Sequence, residues 1–208
     1  MLGLTLASVL LPQPILAAEL DDQVTELQRD WEVVRYQTPA NERERRFAEL
    51  AAKAHRVSDH FLDRSEPLIW ESTIVSSWAD EKGGFGALGL YKRAKVLCEA
   101  AIQIDGSKLD GMAYDNLGML YFKAPRWPLS FGDMAKAKEL LQKALALNPQ
   151  GIEPNAAFGE YLLQTKHPEE ALVYLERALQ APIRPGRQIA DTGRREEVRA
   201  MLERATAH

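Results

Sequence analysis

Three short segments repeat one another. Ala137-x-x-x-Leu141-x-x-Ala144 returns as Ala171-x-x-x-Leu175-x-x-Ala178 after 34 residues, and Ala94, Cys98 and Ala101 hold the same places 43 residues before the first. Val75 and Trp78 likewise precede Gly118 and Tyr121 by 43. A unit of this length is one supersecondary element that cannot bury its apolar face alone, so successive copies must stack. Small residues at three- and four-residue spacing mark a helix face that lies close against another helix.

The middle copy contains Tyr114-x-x-Leu117-Gly118-x-x-Tyr121, then the Ala137 motif, then Asn148-Pro149; the next contains Phe158-Gly159-x-x-Leu162, the Ala171 motif and Pro182. In order and spacing these resemble the tetratricopeptide repeat. The resemblance implies an all-α, right-handed solenoid of antiparallel helix pairs. Its units are expected at 66–106, 107–149 and 150–182, the first two enlarged by seven residues between their helices. Leu27, Trp31, Val34 and then Phe47, Leu50, Ala51, Ala54 have helical spacing on either side of Thr38-Pro39-Ala40-Asn41, which predicts a diverged first hairpin over 19–65. After Ile183-Arg184-Pro185-Gly186, residues 183–208 read as a linker and a C-terminal capping helix, with Val198, Met201, Leu202 and Ala205 on one face. The β-branched TIVSSW at 73–78 lies where a first helix belongs, and context outweighs its strand propensity.

The first 18 residues combine an apolar run with the small pair Ala17-Ala18 ahead of Glu19, the anatomy of a signal peptide cleaved near Ala18 and too short to span a membrane. No basic residue precedes the run and no Cys follows it closely. The expectation is an exported, periplasmic protein. The other reading is an apolar first helix of the domain.

A net charge of −4, with 26 basic residues mixed among 30 acidic ones, argues against nucleic acid as a partner. The basic tract Arg184 to Arg204 also carries Asp191, Glu196, Glu197 and Glu203, so it reads as a solvated helical face. The single Cys98 falls on an apolar face as an inert buried thiol. His55 and His60 are five apart, which does not place them together as a metal pair, and no G-x-S-x-G elbow is present. Nothing here calls for a catalytic residue, metal or cofactor. Gly84-Phe-Gly86-Ala-Leu-Gly89 matches a dinucleotide fingerprint in letters only, since a helix precedes it and no βαβ unit surrounds it.

That segment and its counterpart 43 residues on, Trp127 to Gly132, instead predict two enlarged apolar turns: Phe85 and Leu88 in one, Trp127, Leu129 and Phe131 in the other. They form either a binding edge or an enlarged core. Tetratricopeptide arrays generally hold partners on the concave side, where the inward positions here are Ser72, Ser76, Asp115, Met119, Ala156 and Glu160. These lack the basic, Asn-rich clamp by which co-chaperone members capture a peptide carboxylate.

Over Glu66 to Arg195, PLIWESTIVSSWADEKGGFGALGL, LDGMAYDNLGMLYFKAPRWPLSFGD and APIRPGRQIADTGRREEVR resemble the T-component of TRAP-type solute transporters. The resemblance implies an exported accessory protein that associates with a periplasmic solute-binding subunit and encloses an apolar cleft. The expected function is thus protein-partner binding without catalysis. The alternative is a small apolar ligand lined by Met119, Phe122, Trp127 and Phe131. Asp115, Phe85 and Leu88 complete the set of candidate contact residues, and self-association is left open.

Overall fold

The computed structural model describes residues 13–206. Those residues form nine helices: α1 (Gln13–Tyr36), α2 (Ala40–His60), α3 (Ser65–Lys82), α4 (Gly84–Asp105), α5 (Lys108–Lys123), α6 (Met134–Leu147), α7 (Ile152–Gln164), α8 (Pro168–Gln180) and α9 (Gln188–Thr206). Successive helices pair as α1–α2, α3–α4, α5–α6 and α7–α8, and the first helices of neighbouring pairs also touch, α1 on α3, α3 on α5 and α5 on α7. This is the expected all-α, tetratricopeptide-like solenoid. The apolar run 1–12 lies outside the described residues; α1 begins upstream of Ala18, and its Leu16 packs against the core.

The repeat landmarks are the places of closest helix approach. A Cβ on Gly118 would stand 2.8 Å from Leu141 Cγ, and one on Gly159 would stand 2.6 Å from Leu175 Cδ2. Ala94, Cys98, Ala101, Ala137, Leu141, Ala171, Leu175 and Ala178 are fully buried between the helices. Burial pushes the Cys98 thiol up to about 12, and its sulfur lies 2.8 Å from Ser72 Oγ. An N-terminal core around Phe47, Trp70 and Ile74 and a C-terminal one around Phe158, Leu175 and Val198 meet at Tyr121, which packs on both.

The two seven-residue enlargements take different forms, and the first corrects the expectation of an enlarged turn. Lys82 and Gly84 are joined through Gly83 alone, with φ of 63° at Gly83 and 55° at Gly84, a left-handed conformation that glycine adopts without strain. Residues 84–90 then extend α4 to 22 residues, against 14 in α6. Ala87 is buried and Leu90 and Tyr91 pack on the core, continuing the stripe that runs through Ala94, Cys98 and Ala101. That contact offsets the roughly 1 kcal/mol by which each interior glycine disfavours helix. In the second repeat, 124–133 is a true loop. It is closed by Gly132 N–H donating to Pro125 O at 2.9 Å and Asp133 N–H to Tyr121 O at 3.0 Å, while the Asp133 side chain accepts from the N–H groups of Ala135 and Lys136 to cap α6.

The last helix departs from a simple cap. Its apolar face, Val198, Met201 and Ala205, is buried as expected. It also reaches α7 and α1, so the end of the chain folds back across the concave side onto the start of the solenoid.

Candidate functional site

Closure by α9 turns the concave side into a cleft of about 440 Å³. Its apolar part comes from Trp31, Trp70, Met112, Met119, Leu120 and Met201. Trp31 and Trp70 meet edge to face, their ring centroids 6.0 Å apart, and Trp31 Nε1–H donates to Ser77 Oγ at 2.9 Å. The volume suits a small molecule or a single side chain.

The polar part is an ion-pair lattice between α9, its linker and the first helices. Arg35 of α1 and Arg194 share Glu197, at 2.8 and 2.7 Å. Arg194 and Arg184 share Glu153 of α7, at 3.0 and 3.1 Å, and Arg184 also bonds Asp191 at 2.5 Å. Arg187 pairs with buried Glu32 of α1 and lies over the Trp70 ring, 5.5 Å from its centroid. Despite the desolvation that opposes it, Arg194 and Arg35 hold the Glu197 carboxyl below its ordinary value. Of the tract read from sequence as a solvated face, Glu196, Arg199 and Glu203 are exposed as expected, whereas Arg184, Arg187, Arg194 and Glu197 point into the cleft. The physical reason is that a second set of acids, Glu32 and Glu153, lies more than 30 positions away in sequence and is brought to those arginines only by the curvature of the stack.

Among the seven residues singled out from sequence, Asp115 and Met119 line this cleft. Ser76 and Glu160 join them as expected inward positions, whereas Ser72 and Ala156 are fully buried in the walls. The expectation that Met119, Phe122, Trp127 and Phe131 line one site is corrected. Phe122 packs on Tyr161 at 6.0 Å in the C-terminal core. Phe131 folds onto Tyr121 at 5.4 Å, with Lys95 Nζ 5.8 Å from both rings. Trp127 projects outward, 85% exposed. Phe85 is equally exposed at the start of α4, and Leu88 is half-buried. Phe85 and Trp127 follow the ends of α3 and α5, which Lys123 and Asp80 tie together at 2.7 Å, so both stand on one edge of the solenoid. Sequence reasoning missed Trp31, Trp70, Glu153 and the arginines of 184–194 as cleft residues; the surplus of arginine after Pro182 was the available signal.

Asp115 differs from Asp80, Glu153 and Glu197 among the cleft acids. Its carboxylate makes no hydrogen bond or ion pair among the described residues, and its Oδ1 is shielded from solvent. Burial first, and the negative Glu153 second, push its carboxyl up to about 7. Among the described residues no cluster of three or more His, Cys, Asp or Glu side chains is arranged to hold a metal, and no helix is long and apolar enough to cross a membrane.

Fold and cleft together define a tetratricopeptide-like helical-repeat protein with a closed concave side. The family model described as Tetratricopeptide repeat matches residues 129–182. A thermophilic TPR protein from Thermus thermophilus superposes with a TM-score of 0.57 at 16% identity, covering 91% of this chain and 94% of that one. Yeast Tom70 gives 0.53 at 17% identity, covering 92% of this chain but only 37% of Tom70. At such identities the likeness is one of fold. A comparison with curated proteins finds no match.

Proposed function

We infer that the protein is a non-enzymatic binding subunit, exported to the periplasm, that docks a protein partner and serves as an accessory component of a TRAP-type solute uptake system. The tetratricopeptide-like fold supports partner binding, because such stacks present extended surfaces rather than reaction centres. The observation that carries the docking assignment is the exposure of Phe85 and Trp127 on one edge, since large aromatics are costly to leave in water and are favoured at interface cores. Export rests on the signal-like first 18 residues and the transporter role on the resemblance over Glu66 to Arg195.

A second reading is favoured by the cleft: a small, largely apolar ligand enclosed under α9 beside Trp31, Trp70 and Met119. Two measurements test these readings. N-terminal sequencing of the protein recovered from a periplasmic fraction should begin near Glu19; a mature chain retaining Met1 in the cytoplasm defeats the export assignment. Native mass spectrometry of the purified protein should show either a bound small molecule or, when co-expressed with a solute-binding protein encoded beside it, a defined complex lost in Trp127→Ser. Absence of both outcomes leaves no support for binding at either place.

A further inference from the structure

The charges lining the cleft do not cancel. Six are basic, and five of these are matched one to one: Arg35 by Glu197, Arg194 by Glu153, Arg184 by Asp191, Arg187 by Glu32 and Lys123 by Asp80. Of the five acids, Asp80, Glu153 and Glu197 are thereby used, while Asp115 and Glu160 have no cationic partner among the described residues. Glu160 stands with the unmatched Arg204 where the cleft meets a neighbouring depression floored by Leu163 and Pro168, so these two occupy the mouth. Asp115 is left, among the described residues, as the uncompensated charge of the interior, with a shielded oxygen that lacks any donor. A buried carboxylate oxygen without a partner has lost its hydration and gained nothing in return, and a charged donor supplied by a ligand restores that loss.

Resting on the small-ligand reading above, we propose that the cleft takes a primary ammonium group carried on a short apolar body, with Asp115 as the acceptor. The apolar body lies along Met112, Met119 and Leu120, which come from the same helix as Asp115. An anionic head group would meet Asp115 with like charge, and Arg35, Arg184 and Arg194 already hold acids at 2.5–3.1 Å, which leaves, among the described residues, an unmatched arginine only at the mouth, in Arg204. Specificity would then come from the group left without a partner, as it does wherever a site rejects ligands that leave a buried polar atom unpaired.

Isothermal titration at pH 8 with octylamine, octan-1-ol and octanoate tests the assignment. The expected result is octylamine binding at least about tenfold tighter than the other two, as for a charge-assisted hydrogen bond. That preference should vanish in Asp115→Asn and persist in Asp115→Glu, with folding of each variant checked by circular dichroism. If the alcohol and the carboxylate bind as well as the amine, or if the preference survives Asp115→Asn, the ammonium assignment is overturned while the cleft keeps a small ligand. If none of the three binds the native protein, the small-ligand reading falls with it.

Discussion

Asn116 Nδ2 donates to Thr73 Oγ1 at 2.8 Å, and the two residues are 43 positions apart. That separation is the repeat period, so equivalent positions of successive units face each other across α3 and α5. Lys123 and Asp80, also 43 apart, repeat the relation one end further along at 2.7 Å. Both residues of the Asn116 pair line the cleft wall. Asn116→Ala should lower stability by about 1 kcal/mol, the usual net worth of such a bond. Urea unfolding measures it, and an unchanged midpoint would deny the bond any part in setting the register.

Two glycines should respond to alanine with opposite signs. Gly89 lies within α4 with open space where a Cβ would go, so Gly89→Ala should stabilise the protein by roughly 0.5–1 kcal/mol through helix propensity. A destabilised variant would return this segment to the enlarged turn expected from sequence. Gly193 lies directly against the Tyr36 ring where α9 crosses α1, and a Cβ there overlaps the ring. Gly193→Ala should cost about 1–3 kcal/mol and raise amide exchange in α9 selectively.

The lattice that closes the cleft is partly shielded rather than fully exposed, so its loss should be measurable. Arg35→Ala leaves Glu197 with Arg194 alone and frees one end of the α1–α9 contact. About 1–2 kcal/mol is expected, more than an isolated surface pair provides, with faster exchange at residues 188–200. A loss confined to α3 would assign Arg35 instead to its neighbour Glu81.

Asp115 predicts a pH dependence with a definite sign. Its pKa rises from an ordinary 3.8 to about 7 on folding, in an environment of Glu153 and Glu160 from α7, Arg194 from α9, Lys123 from α5 and Asp80 from α3. The native state therefore keeps a proton that the unfolded chain releases from about pH 4 upward, and stability from this group falls as pH rises to about 7. Asp115→Asn should match the native protein near pH 4 and exceed it by ~1–3 kcal/mol at pH 8. Urea midpoints at pH 4, 6 and 8 decide it; a variant weaker than native at pH 8 would falsify the placement of an uncompensated carboxylate.

Trp127 and Phe131 should separate function from folding. Trp127→Ser removes an exposed ring and should change stability by less than about 0.5 kcal/mol, while abolishing capture of the partner. Phe131→Ser breaks the contact with Tyr121 and should cost about 1–3 kcal/mol. Equal stability losses would show Trp127 to be part of the core.

Sequence alone determined the helix pairs, because Gly118, Gly159 and the Ala-Leu-Ala triads carry both the helical period and the small volumes that close approach requires. It also marked Asp115 and Met119 as inward, since a position in the first helix of a repeat fixes the face it presents. Tertiary structure alone decided what became of the two enlargements: Ala87, Leu90 and Tyr91 find a helix to pack against, so Gly84 to Leu90 coil despite their glycines, while the loop before α6 closes on its own backbone. It decided the cleft as well. Arg184, Arg187 and Arg194 read locally as a polar surface, and only the return of α9 to α1 sets them against Glu153 and Glu32 and leaves Asp115 without a countercharge. Local periodicity encodes which face of a helix is buried; it holds no record of which distant charge will lie opposite.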